Sequence, residues 1–113
     1  MSLLVGVLLT LLGQTIIWFQ TNGQFVWPWF KKHPFLMAVL FGTSISYIFI
    51  MATKYLVAHF NGLIWPARLI GFGLGMVVFT VCAYIFMGES LNSKTIVSLI
   101  LAFTIVCIQI FWK

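Results

Sequence analysis

Four apolar runs, at residues 3–19, 35–53, 63–87 and 94–112, take up most of the chain, and short polar or turn-forming stretches separate them. A helix needs about 20 mainly apolar residues to cross the hydrocarbon core of a bilayer. The first run is slightly short for this. The third, at 25 residues, is long enough to cross with a tilt or a break. A secretory signal would carry positive charge ahead of its apolar segment and a small-residue cleavage site behind it. The first run has neither and leads into Gln20-Thr21-Asn22-Gly23-Gln24, so it is expected to remain as a helix. The pattern predicts an all-α integral membrane protein, a single four-helix transmembrane domain over residues 1–113.

The connections fit this picture. Trp27, Trp29 and Phe30 stand beside Lys31 and Lys32, an arrangement that places rings among lipid headgroups and ammonium groups in water. Pro28 and Pro34 are expected to stop any helix running through this stretch. Gly62 marks a turn after Ala58-His59-Phe60-Asn61, with His59 read as an interfacial residue, and residues 88–93 form the last connection. Lys94 is read as a headgroup anchor in the first turn of the fourth span.

Composition narrows the class further. Hydrophobic residues make up 63% of the 113, and charged residues only 6%, against about a quarter in soluble proteins. A soluble domain this small could not hide so much apolar surface, so a multi-pass integral membrane protein is expected. Six basic residues and one acidic residue give a net charge of +5. The bases are scattered singly or in pairs between the apolar runs, which suits headgroup anchoring and excludes the concentrated patch of a nucleic-acid binder. Cys82 and Cys107 both fall in apolar runs and read as small buried hydrophobes. One carboxylate, two separated histidines and no nucleophile–base pair exclude the enzyme classes. No catalytic residue, metal site or cofactor is expected, and membrane lipids are the expected surroundings.

A few polar residues interrupt the apolar runs. Gln14 shares a helical face with Thr10, Gly13 and Ile17. A primary amide in hydrocarbon needs a hydrogen-bonding partner, so it is expected either to bind helix to helix or to contact a substrate. Tyr47 lies on one face of the second run with Thr43, and Met51 and Lys54 extend that face. Arg68 is five residues into the third run, placed either to reach back to the interface or to face a polar cavity. Gly71, Gly73 and Gly75 follow it. Gly71 and Gly75 form a G-x-x-x-G pair, which admits a close neighbouring backbone, and the glycines also weaken the helix enough for a hinge.

With four spans, Lys54, Arg68 and Lys113 lie on one side and Lys31, Lys32 and Lys94 on the other. Orientation depends on an imbalance of such charges. The even tally predicts insertion both ways and an antiparallel pair of copies. Four helices are also few for a transport pathway, which usually forms between two repeats. A homodimer or a related small partner subunit is therefore expected.

The chain resembles the small multidrug resistance family of the drug/metabolite transporter superfamily in length, span count and several motifs. These are Lys54-Tyr55, the glycines of the third span, Phe86-Met87-Gly88-Glu89-Ser90-Leu91 and the apolar fourth span. The resemblance implies a four-helix bundle working as a dimer, with Glu89 a loop residue of structural use. It also implies a first-helix glutamate that binds cation and proton alternately, but Gln14 stands at that position and cannot titrate. Aligning from Lys54 puts the family's third-helix tryptophan at Trp65; aligning back from Glu89 puts it at Gly71. The pair Gly13-Gln14 is similar instead to the superfamily's small flippase subunits, which move lipid-linked amino sugars and lack the acidic site. The expectation is a transporter or flippase-like protein that does not use acidic-site antiport, with Gln14, Tyr47, Trp65 and Arg68 lining the pathway. The other expectation is a non-transporting accessory subunit of a larger membrane complex, in keeping with the aromatic content of 18%.

Overall fold

Prolines start three of the helices, and left-handed residues end two of the helical stretches. The computed structural model describes residues 2–112. Helix α1 (Ser2–Asn22) tightens into a 3-10 turn at Gly23–Phe25, followed by the short α2 (Pro28–Lys32) and then by α3 (Pro34–His59). Helix α4 (Trp65–Cys82) continues without interruption into a π-helical turn, Ala83–Met87, and α5 (Ser93–Phe111) follows. The described residues include no strand. Four helical segments, Ser2–Phe25, Pro34–His59, Trp65–Met87 and Ser93–Phe111, are long and apolar enough to cross a membrane.

Pro28, Pro34 and Pro66 all sit in the first turn of a helix, where the missing N–H would have had no partner anyway. Pro28 and Pro34 therefore begin helices where the sequence reading had them as breakers. Helix α3 runs six residues past the expected end at 53, because nothing from Lys54 to Ala58 opposes a helix. It stops where Asn61 (φ 59°) and Gly62 (φ 88°) turn left-handed. Gly88 (φ 69°) ends the π turn in the same way. Helix α1 likewise passes the expected end at 19. Thr21 returns its hydroxyl to the Ile17 carbonyl (2.8 Å), and Gln20 donates to the Met37 carbonyl of α3 (3.3 Å). Asn92 caps α5, its Oδ1 accepting from the Thr95 N–H at 2.8 Å.

The molecule measures 46 × 36 × 18 Å. A helix with its side chains is about 10–12 Å across, so the short dimension holds fewer than two. The long helices lie in a layer in the order α3, α1, α4, α5, with α1 packed on both α3 and α4 and α5 packed chiefly on α4. Small residues make the α1–α3 seam close. Gly6, Thr10 and Gly13 are buried, and a Cβ on Gly6 would lie 2.7 Å from Leu56. Thr10 stays satisfied by bonding the Gly6 carbonyl at 2.8 Å. At one end of the layer Leu56, Ala67 and Ile70 form a core with Leu3, Val7 and Ile110 around them. Trp18, Val78 and Cys82 form the core at the other end.

Candidate functional site

A cleft of about 640 Å³ opens between α1, α3 and α4. Its polar lining is Thr10, Gln14, Thr53 and Arg68, and its walls are mainly Phe49, Leu56, Phe72, Met76 and Phe79. Among the described residues no carboxylate lines it. The lining of α4 runs from Ala67 to Phe79, about 18 Å at 1.5 Å per residue. That is roughly half of a ~30 Å bilayer core.

Gln14 lies about midway along the cleft. Its Nε2 donates to the Gly71 carbonyl at 3.3 Å, and its amide lies over Gly75, where an added Cβ would approach the side-chain carbon and oxygen to 2.9 Å. Of the G-x-x-x-G pair, Gly75 thus receives a side chain and Gly71 faces open space, in place of the expected second backbone. The backbone neighbour is at Gly73 instead, on the opposite side of α4. A Cβ there would lie 2.7 Å from the Ala102 carbonyl oxygen and would also meet Val106. Three glycines at alternate positions therefore serve two faces of α4: Gly71 and Gly75 serve the cleft and Gly73 the α5 seam. All three lie in regular α-helix, and the only departure from it in this segment is the π turn at Ala83–Met87.

Arg68 stands in the first turn of α4, exposed at the mouth of the cleft. It makes no ion pair or side-chain hydrogen bond among the described residues. No side chain caps the N-terminus of α4, so the unpaired N–H groups of its first turn add positive potential beside the guanidinium. Thr53, also on the cleft, makes no side-chain hydrogen bond among the described residues, whereas the Thr10 hydroxyl is already used. The mouth can therefore accept an anion, and the aromatic and aliphatic walls can take an apolar chain. The Gln14 amide offers one more polar contact at depth.

The other two expected pathway residues lie elsewhere. Tyr47 is 66% exposed and lies with Val39, Gly42, Thr43 and Ser46 on a shallow outer face of α3. Trp65 is 74% exposed and does not line the cleft. Sequence reasoning missed Phe49, Thr53 and Phe72, which nothing but position distinguishes from other apolar-run residues. It also missed an aromatic cluster at the far end. There the Phe86 ring lies 5.5 Å from Trp18, 5.1 Å from Phe19 and 5.8 Å from Trp27. Comparison with protein-family models, curated proteins and solved structures returns no match.

Proposed function

We propose that the chain is a small multi-pass membrane transporter or flippase-like protein, similar to the small multidrug resistance group of the drug/metabolite transporters. In this reading it sits in a bacterial-type inner or plasma membrane and moves an anionic amphiphile. The observation that carries the reading is the pairing of Arg68 at the mouth of a half-depth cleft with the Gln14 amide partway along it, in a lining that holds no carboxylate among the described residues. A guanidinium matches phosphate or carboxylate oxygens in a two-pronged geometry, while Phe49, Phe72 and Phe79 line the path for an apolar tail. With Gln14 in place of an acid, proton-coupled cation antiport is not the mechanism. A layer 18 Å thick leaves the cleft open along its length, and a second copy, antiparallel in keeping with the even charge tally, would supply the other wall and the other half of the depth.

The test is transfer in liposomes holding the purified protein and a fluorescent phosphate-headed lipid. Wild type should speed equilibration between leaflets, and Arg68→Ala should lower the rate at least tenfold. Equal rates in the two proteins would remove Arg68, and the anionic substrate with it. A second reading, an accessory subunit of a larger membrane complex, draws on α5, which exposes Ile96, Val97, Ile100, Leu101 and Phe103. Native mass measurement after mild extraction separates the two, since a homodimer supports transport and a fixed place among other chains supports the accessory role.

A further inference from the structure

The lining of the cleft ends on α4 at Phe79, and Trp18 packs just beyond that level, against Val78 and Cys82. Trp18 follows Gln14 by four residues on α1 and therefore lies one turn further along the same face. It is 2% exposed, and its indole N–H is buried without a hydrogen-bond partner among the described residues. Tryptophan N–H groups usually find a partner when buried, so an orphan beside the far end of a cleft needs an explanation. The ring that lies against Trp18 and Phe19 from the α4 side is Phe86, and Phe86 lies within the π turn Ala83–Met87. A π turn carries one residue more than the α-helix needs and is common at functional sites. The slack to resolve it is close by, in the residues after Gly88, which have no regular structure before α5 begins at Ser93.

We propose that Trp18 and Phe86 form a gate beyond the far end of the cleft, with the π turn as its moving part. This rests on the transport reading for its purpose but not for its test. When the π turn anneals to α-helix, the residues at its end, Phe86 among them, rotate by up to about 100°, one residue's share of a 3.6-residue turn. Phe86 then leaves Trp18, Phe19 and Trp27. The freed indole N–H becomes the next donor along the path after the Gln14 amide. The orphan donor of the closed state is thus the polar contact of the open one.

Cys82 is a built-in reporter, since it is buried against Trp18 and Val78. A charged methanethiosulfonate reacts with a thiolate in contact with water, so its rate at Cys82 reads whether the gate is open. The full chain carrying Cys107→Ser is reconstituted in lipid vesicles and compared with the same chain lacking Ile85, which removes the extra residue of the π turn. Phe86→Ala in the same background removes the ring and decides the matter if the deletion does not fold. Either change should raise the Cys82 rate at least tenfold. A second probe, Ala102→Cys with Cys82→Ser, lies buried in the α4–α5 seam and should stay unreactive throughout. Unchanged Cys82 rates would overturn the gate. A rise at both probes would also overturn it, because it would mean general loosening. Neither readout depends on lipid transfer, so loss of the transport reading and loss of the gate are separate results.

Discussion

Alanine at each of the three α4 glycines should give three different outcomes. At Gly73 the new Cβ would lie 2.7 Å from the Ala102 carbonyl oxygen. That atom belongs to the backbone of a regular helix and cannot move alone. To restore ordinary contact near 3.4 Å, α5 must back away by roughly 0.7 Å along much of its seam, an overpacking change that costs about 1–3 kcal/mol. At Gly71 the Cβ would meet nothing within 4 Å, so only the helix preference for alanine acts, a gain of up to about 1 kcal/mol. At Gly75 the Cβ would meet the end of the flexible Gln14 side chain at 2.9–3.0 Å. Gln14 can swing aside and lose its bond to the Gly71 carbonyl. A loss of about 1 kcal/mol for that bond roughly cancels the alanine gain. The expected order of stability is Gly71→Ala first, wild type and Gly75→Ala close together, and Gly73→Ala last, with a spread of about 1–3 kcal/mol once the alanine gain is counted at all three sites. Reversible unfolding in mixed micelles of rising dodecyl sulfate fraction, followed by tryptophan emission, measures the order. Lipid transfer measured beside it should fall in Gly75→Ala despite near-normal stability. A Gly73→Ala protein as stable as Gly71→Ala would refute the seam assignment and the packing argument built on it.

Four other substitutions follow from the same geometry. Gln14→Leu removes one long, part-buried hydrogen bond, so it should cost no more than about 1.5 kcal/mol in the micelle titration while lowering lipid transfer several-fold. A large stability loss with normal transfer would make Gln14 helix–helix glue only. Tyr47→Phe and Trp65→Ala alter residues outside the cleft and should leave transfer within about twofold of wild type, as expected of surface changes away from a site. Asn92→Ala removes the α5 cap and should cost about 1 kcal/mol in the same titration, with transfer unchanged.

The four long helices were legible because each is an apolar run with a breaker at its end, and both features are local. The ends were less so. Polarity at Gln20 and Thr21 suggested the end of α1, but side chains that bond back to carbonyls let the helix continue until Gly23. The cleft was half legible. Gln14 and Arg68 stand out because a polar group in an apolar run must find a partner or a wet surface, and both line the cleft. Tyr47 stands out for the same reason, but periodicity gives the face a residue shares and not the direction that face takes. In the fold the face of Tyr47 and Thr43 points outward. The π turn left no mark that periodicity could detect, since Ala83–Met87 reads as ordinary helix until Gly88.

The glycines show most clearly how far spacing carries. A G-x-x-x-G pair marks a groove on a helix, and a groove accepts whatever the facing helix presents. At Gly73 α5 presents Ala102, a side chain short enough for backbone to meet backbone. At Gly75 α1 presents Gln14, whose amide also reaches the Gly71 carbonyl, and the groove becomes a seat for an amide. One amide then does two things: it joins α1 to α4, and it places a polar group partway along a cleft whose mouth holds a guanidinium. A glutamate in that seat would bring an acceptor to the Gly71 carbonyl, which is itself an acceptor, so the seat as built suits an amide donor. The missing acid and Gly75 are therefore one feature of this chain, seen once from each helix.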